Sequence, residues 1–238
     1  MKILIPLSGG FDSTYLLWQA LTKTEHDIYV LHVRLNNSSA RYVPEQQACD
    51  NIQLWFANNC RGINEWSDGS IEMLWSMGGI NDYVALAPLI VSQVMSYGGV
   101  DEIWMGSNIE EYEVATEANF NDGDHWFRRY IGDVWHWGCG GCPSGQPFQG
   151  LPVPRLVHPT MHQRKADMMA EIPPDLMNLS WSCHSPDVEV FPGETDKHYT
   201  PCGNCTSCLL RKGLSSSEAF DYFVDALYDD KSLASLRA

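Results

Sequence analysis

The sequence predicts an α/β fold: a doubly wound, Rossmann-like parallel sheet followed by a cysteine-rich C-terminal segment. Three observations carry this. A continuous apolar run at the start, Lys2-Ile3-Leu4-Ile5-Pro6-Leu7, feeds a glycine-rich turn and then a helical pattern. Apolar, β-branched runs and helical patterns then alternate through the first hundred residues, the rhythm of a parallel sheet wound with crossover helices. Near the C-terminus the periodicity gives way to an irregular stretch, 180–208, that holds four of the eight cysteines.

Taken in order, residues 2–7 read as a buried strand and 13–21 as the helix after the glycine turn. Residues 28–33 (Ile-Tyr-Val-Leu-His-Val) form a second strand, and 44–57 a second helix with Pro44 suited to its first turn. A weaker third strand is placed near 63–66. A helix at 87–97 ends at Gly98-Gly99, and a strand at 102–106 ends at Gly106. Strands ordered in this way place a ligand at their carboxyl ends. Between 107 and 154 the pattern breaks into a stretch rich in Asn, Asp, Gly, Trp and His, periodic only around 126–134, which reads as an inserted lid. Regularity returns as a helix at 158–170, and a final helix is expected at 217–227. The organisation expected is one α/β domain over 1–179, with the 107–154 insertion, and a metal-binding segment with its C-terminal helix over 180–238.

Composition narrows the function classes. The 238 residues carry 30 acidic and 15 basic side chains, a net charge of −15. Duplex nucleic acid is held through many Lys and Arg contacts to phosphate, so this balance disfavours nucleic acid as a partner. It does not disfavour a single phosphate chain held by backbone amides and a few cations. No apolar run reaches the ~20 residues that span a bilayer, so no membrane partner is expected. The first apolar run is too short for a secretory signal and has no small-residue cleavage site. A cytoplasmic location is expected, that of the host if the gene is viral. In that compartment, eight cysteines point to metal or thiol chemistry before disulfides.

The turn Ser8-Gly9-Gly10-Phe11-Asp12-Ser13 has the residue types a phosphate site requires. Glycines let a phosphate chain approach the backbone, and the amides of Gly9, Gly10 and their neighbours Leu7, Phe11 and Thr14 lie beside the positive end of the following helix. Ser8 and Ser13 add hydroxyl donors. Asp12 is suited to capping the helix or to holding Mg²⁺. There is no lysine of the GxxxxGK[ST] kind, and no G-x-G-x-x-G fingerprint.

Cys202-x-x-Cys205-x-x-Cys208, with Cys183 18 intervening residues upstream, is a spacing suited to four thiolates around one tetrahedral ion. A closed structural zinc site is the favoured reading. An iron–sulfur cluster is also held by four thiolates, and His184 or His198 is a candidate to replace one thiol. Cys139-Gly140-Gly141-Cys142, near His125 and His136, forms a second C-x-x-C pair open to metal, redox or turn roles. Cys49 and Cys60 read as packing residues.

The six-residue loop matches the SGGxDS loop of the PP-loop ATP pyrophosphatases, which cleave ATP between the α- and β-phosphates. Ser180-Trp181-Ser182-Cys183, then Pro201-Cys202-Gly203-Asn204-Cys205-Thr206-Ser207-Cys208-Leu209-Leu210-Arg211 and Ala219-Phe220, resemble the C-terminus of the 7-cyano-7-deazaguanine synthases of queuosine biosynthesis. The resemblance implies an ATP-dependent ligase that adenylates 7-carboxy-7-deazaguanine or a close relative and joins it to ammonia, giving an amide or nitrile. It further implies ATP and Mg²⁺ at residues 7–14, structural zinc on the four cysteines, and a homodimer. Lys165 or Arg164 would offset charge on the α-phosphate, with Asp12 and Ser13 as its catalytic companions. The family's Y-P-D-C-R element is replaced here by Gly106-Ser107-Asn108-Ile109-Glu110-Glu111-Tyr112 and the residues after it. Trp126, Trp135 and Trp137 in the same region are candidates to stack on a flat heterocycle. Two alternatives follow: adenylation of a tRNA base for sulfur transfer through Cys139 or Cys142, or a nucleotide-binding protein that has lost turnover.

Overall fold

A computed structural model describes residues 1–36, 41–72, 82–110, 151–190 and 197–212 of the chain. The first apolar run forms strand β1 (Lys2–Leu7), and it lies at the centre of a five-stranded sheet in the order β3-β2-β1-β4-β5. Every pairing in this sheet is parallel. The remaining strands are β2 (Asp27–Asn36), β3 (Glu65–Glu72), β4 (Glu102–Trp104) and β5 (Arg155–Val157). The chain moves outward from β1 to β3 on one side, then returns to place β4 and β5 on the other. The point of reversal lies between β1 and β4, where doubly wound sheets open a crevice for ligands.

Period-two alternation assigns the two faces. Ile3, Ile5 and Leu7 enter one core with Ile28 and Val30 of β2, and Leu4 enters the other with Leu31, Val33 and Leu35. The first core is closed by α1 (Phe11–Lys23) and α2 (Tyr42–Asn59), and by α4 (Lys165–Glu171) and α5 (Pro174–Leu179). The second is closed by α3 (Asp82–Ser96) through Ala87, Ile90, Val91 and Val94. A two-stranded antiparallel sheet, β6 (Asp187–Glu189) with β7 (His198–Thr200), and α6 (Thr206–Arg211) complete the described elements. Among the described residues, no helix is long and apolar enough to cross a membrane.

Four departures from the sequence reading bear on the site and the sheet. The third strand is 65–72 instead of 63–66, because an edge strand pairs through its backbone and tolerates the polar string Glu-Trp-Ser-Asp-Gly-Ser-Ile-Glu. Helix α3 starts five residues earlier than the expected 87 and carries Pro88 inside it. The helix expected at 158–170 begins only at Lys165: residues 158–163 form turns, with Met161 N–H on the His158 carbonyl and Gln163 N–H on that of Thr160. The fifth strand, β5, escapes the pattern because it is three residues long. The expected helix at 217–227, the core of the insertion with Trp126, Trp135 and Trp137, and the Cys139/Cys142 pair lie outside the described residues.

Candidate functional site

The loop after β1 is shaped by one left-handed residue. Gly9 has φ +77°, and a Cβ there would come within 2.7 Å of the Glu45 carbonyl in α2. Only glycine combines that backbone with that approach. Gly10 returns to an extended conformation and starts α1 without any side-chain cap. The expected capping role of Asp12 is therefore not found; its carboxylate has other partners. Ser8 and Ser13 face each other, Oγ to Oγ 3.1 Å, and the Gly10 amide donates to Ser8 Oγ at 3.2 Å. Thr14 is fully buried and donates its hydroxyl to the Gly10 carbonyl, helping to turn the first helical residues.

Asp12 is held by two donors, Lys165 Nζ to Oδ2 at 3.0 Å and Asn108 Nδ2 to Oδ1 at 2.8 Å. The Lys165 side chain is 5% exposed and that of Asp12 17%, so this ion pair is largely removed from water. Lys165 also lies 5.6 Å from the centre of the Phe11 ring, and its own amide donates to the Glu110 carboxylate at 3.1 and 3.2 Å. Lys165 is thus the first residue of α4, with its head group turned into the site and not into solvent. Arg164, the other candidate cation, is its exposed N-cap and does not line the cavity.

Three contributors were not singled out from the sequence. Asn108 and Glu110 fall where the insertion was expected to begin, yet both are buried and hold Asp12 and Lys165. Gly106, read there only as a strand exit, presses its Cα against α1: a Cβ would lie 2.7 Å from the Ser13 nitrogen and 2.8 Å from the Asp12 carbonyl carbon. A glycine two residues past a strand at the switch point is the signal that marks it.

Asp12, Lys165 and Gly106 line a cavity of ≈340 Å³ at the carboxyl ends of β1, β2 and β4, with Asn108 and Glu110 behind them. Leu7, Ser8, Gly10, Phe11, Asp12 and Ser13 form one wall; Gly9 and Thr14 support the loop from behind. Leu31, Val33, Leu35, Leu86 and Met105 form an apolar floor. The charged groups that face in are Lys165, Asp12 and the Arg41–Glu45 pair, whose atoms approach to 3.6 Å. Trp181, Ser182, His184 and Ser207 close the remaining side.

The four cysteines converge as their spacing predicts. The sulfurs of Cys183, Cys202, Cys205 and Cys208 all lie within 4.8 Å of one another. Gly203, at φ +74°, makes the tight turn that lets the Cys205 amide donate to the Cys202 sulfur at 3.4 Å. Burial opposes ionisation of Cys202, but the amides of Asn204 and Cys205 and the neighbouring thiols outweigh it and hold its pKa at about 7. Burial pushes Cys183 and Cys208 upward. The knuckle is tied to the domain by Arg211, whose guanidinium donates to the carbonyls of Ser180 and Met177 at 2.8 and 2.9 Å. The alternative ligands are not part of this group: His184 and His198 are exposed. Cys49 packs in the core behind Gly9, its sulfur 3.2 Å from His32 Nδ1, and Cys60 packs against the same core.

No protein-family model matches the sequence, and no curated protein matches it either. Among solved structures, the chain is similar to the U34-tRNA thiolase NcsA from Methanococcus maripaludis, described with its 4Fe-4S cluster, at 14% identity and a TM-score of 0.49. The match covers 82% of this chain and 61% of that one, so this chain spans less than two thirds of that protein's length.

Proposed function

We propose that the protein is an ATP pyrophosphatase of the PP-loop class that adenylates a deazapurine carboxylate and passes it to ammonia. The observation that carries this reading is the convergence of the Ser8–Ser13 loop, the Asp12–Lys165 pair and an apolar floor on one cavity at the switch point of a parallel sheet. The floor suits a purine ring, and the loop, at the N-terminus of α1, suits the phosphate chain. A substrate carboxylate oxygen attacks the α-phosphorus, the bond to the β-phosphate oxygen breaks, and pyrophosphate leaves into the loop. Ammonia then attacks the acyl carbon, AMP leaves and a proton is lost, giving the amide. A second adenylation, on the amide oxygen, lets AMP depart with the remaining N–H protons lost to give the nitrile. Lys165 offsets the charge that builds on the α-phosphate. Asp12 accepts two hydrogen bonds, and a carboxylate has about four acceptor positions, so it retains capacity to receive a magnesium-bound water. Incubation with ATP, ammonia and 7-carboxy-7-deazaguanine is expected to yield pyrophosphate and AMP, with amide or nitrile seen by mass spectrometry. ATP left intact with that acid, but cleaved with another carboxylate, would move the proposal to the second substrate.

The donor set of the cysteine knuckle fits a single soft ion. Four thiolates at ~2.3 Å around one tetrahedral ion stand about 3.8 Å apart, inside the observed limit of 4.8 Å. A four-iron cube interposes metal–metal edges and spreads its thiolates wider. Zinc at one per chain is therefore the expectation, as a structural ion. Elemental analysis showing four irons per chain with acid-labile sulfide would overturn it.

A further inference from the structure

The segment Ser180-Trp181-Ser182-Cys183 has neither helix nor strand hydrogen bonding along it, yet its middle touches the phosphate loop at two points. The Trp181 amide donates to the Gly9 carbonyl at 2.8 Å, and the Phe11 amide donates to Ser182 Oγ at 3.4 Å. Phe11 is the first residue of α1, so its N–H belongs to the helix-terminal donors that lack an intrahelical acceptor. Both ends of the segment are fixed by the knuckle: Ser180 through Arg211, and Cys183 through its place among the four thiols. The Trp181 indole closes the turn by donating to the Cys183 carbonyl at 3.0 Å.

We propose that Ser182 is a phosphate ligand of this site, a third hydroxyl beside Ser8 and Ser13, and that the four-cysteine centre holds it in place. The inference rests on reading residues 8–13 as a pyrophosphate cradle. Ser182 lines the cavity, and a hydroxyl that accepts one hydrogen bond keeps its own O–H to donate. An oxygen polarised by an N–H donor is a stronger donor in turn. Ser182 therefore extends the helix-terminal amide into the cavity by one hydroxyl, and the phosphate oxygen accepts from the side chain while Phe11 N–H remains satisfied. The same arrangement gives the metal centre a task in ligand binding without any contact between ion and nucleotide. An ion held by the four thiols would fix Cys183, and Cys183 would in turn fix the residue before it.

The test is titration of inorganic pyrophosphate and of AMP by calorimetry into protein of full metal content. Ser182→Ala is expected to weaken pyrophosphate by about 10-fold, with AMP changed by less than about two-fold and metal content unaltered, because one hydrogen bond to a charged group is lost. Ser182→Thr, which keeps the hydroxyl, is expected to restore wild-type binding. Hydrogen exchange on the full chain supplies a second readout. Stripping the metal with a chelator is expected to accelerate exchange in peptides covering residues 8–14 while strand β2 stays protected. Wild-type affinity in Ser182→Ala, or an unchanged loop after stripping, overturns the inference and leaves the reading of the loop standing. Wild-type protein that binds no pyrophosphate overturns both.

Discussion

Replacing Lys165 by methionine is expected to lower the rate of ATP cleavage by about 1,000-fold, the scale of removing a preorganised charge from a developing phosphate anion. The same change is expected to cost stability of about 3–5 kcal/mol, since it strands the Asp12 carboxylate in a site that is mostly closed to water. The two effects have different remedies, which makes them separable. Converting Asp12 to asparagine in the Lys165→Met background removes the stranded charge, and Asn108 still offers its amide to an oxygen at position 12. Stability is then expected to recover most of its loss, read as the urea midpoint, while pyrophosphate release stays abolished. A Lys165→Met protein that releases pyrophosphate at close to the wild-type rate would show that the pair is structural. A double variant no more stable than Lys165→Met would show that Asp12 is not stranded in the single variant.

That pair also shows where the sequence was sufficient and where it was not. The loop was legible because each of its residues is dictated locally: a glycine for the left-handed turn, small residues beside a helix start, hydroxyls at fixed offsets. The cysteine knuckle was legible for the same reason, its ligands being spaced by the turn at Gly203 that brings them together. Strand β1 and the helix after it were legible because burial on both faces leaves no polar position in the strand after Lys2. Lys165 stood 153 residues from Asp12, and nothing in the string Arg164-Lys165-Ala166-Asp167 says which side of α4 faces the site. The helix is expected over 158–170; its start at Lys165 places that side chain in the first turn, directed at the cavity. Asn108 and Glu110 were hidden by the broken pattern after β4. Their hydrogen bonds close over long separations, 96 residues for Asn108 to Asp12, and polarity in a loop reads as exposure until a partner is seen. Strand β3 was misplaced because edge pairing rewards backbone geometry and not apolar periodicity. The metal identity and the substrate lie beyond pattern altogether, since both depend on chemistry at atoms the chain only surrounds.

Gly106→Ala tests the packing that makes the cavity. The new methyl would sit 2.7 Å from the Ser13 nitrogen and 2.8 Å from both the Asp12 carbonyl carbon and the Ser13 Cα. All three are backbone atoms, so no side chain can swing aside. Either the end of β4 or the first turn of α1 must move by several tenths of an ångström. Overpacking of this kind costs about 1–3 kcal/mol, and in a protein of this size about 3 kcal/mol lowers Tm by roughly 6–12 °C. The larger effect is expected in binding. The atoms displaced are those of Asp12 and Ser13, one paired with Lys165 and the other with Ser8, so even a small retreat of α1 pulls apart the two contacts that shape the phosphate wall. Pyrophosphate affinity is expected to fall by about 100-fold or more, beyond what the loss of a single hydrogen bond produces. Gly69 supplies the control: it lies in β3, and a Cβ there meets its nearest neighbour at an ordinary 3.8 Å. Alanine at Gly69 is expected to leave pyrophosphate affinity unchanged. A Gly106→Ala protein with wild-type affinity and melting temperature would mean that the strand end yields freely, and that the contact between β4 and α1 does not set the geometry of the site.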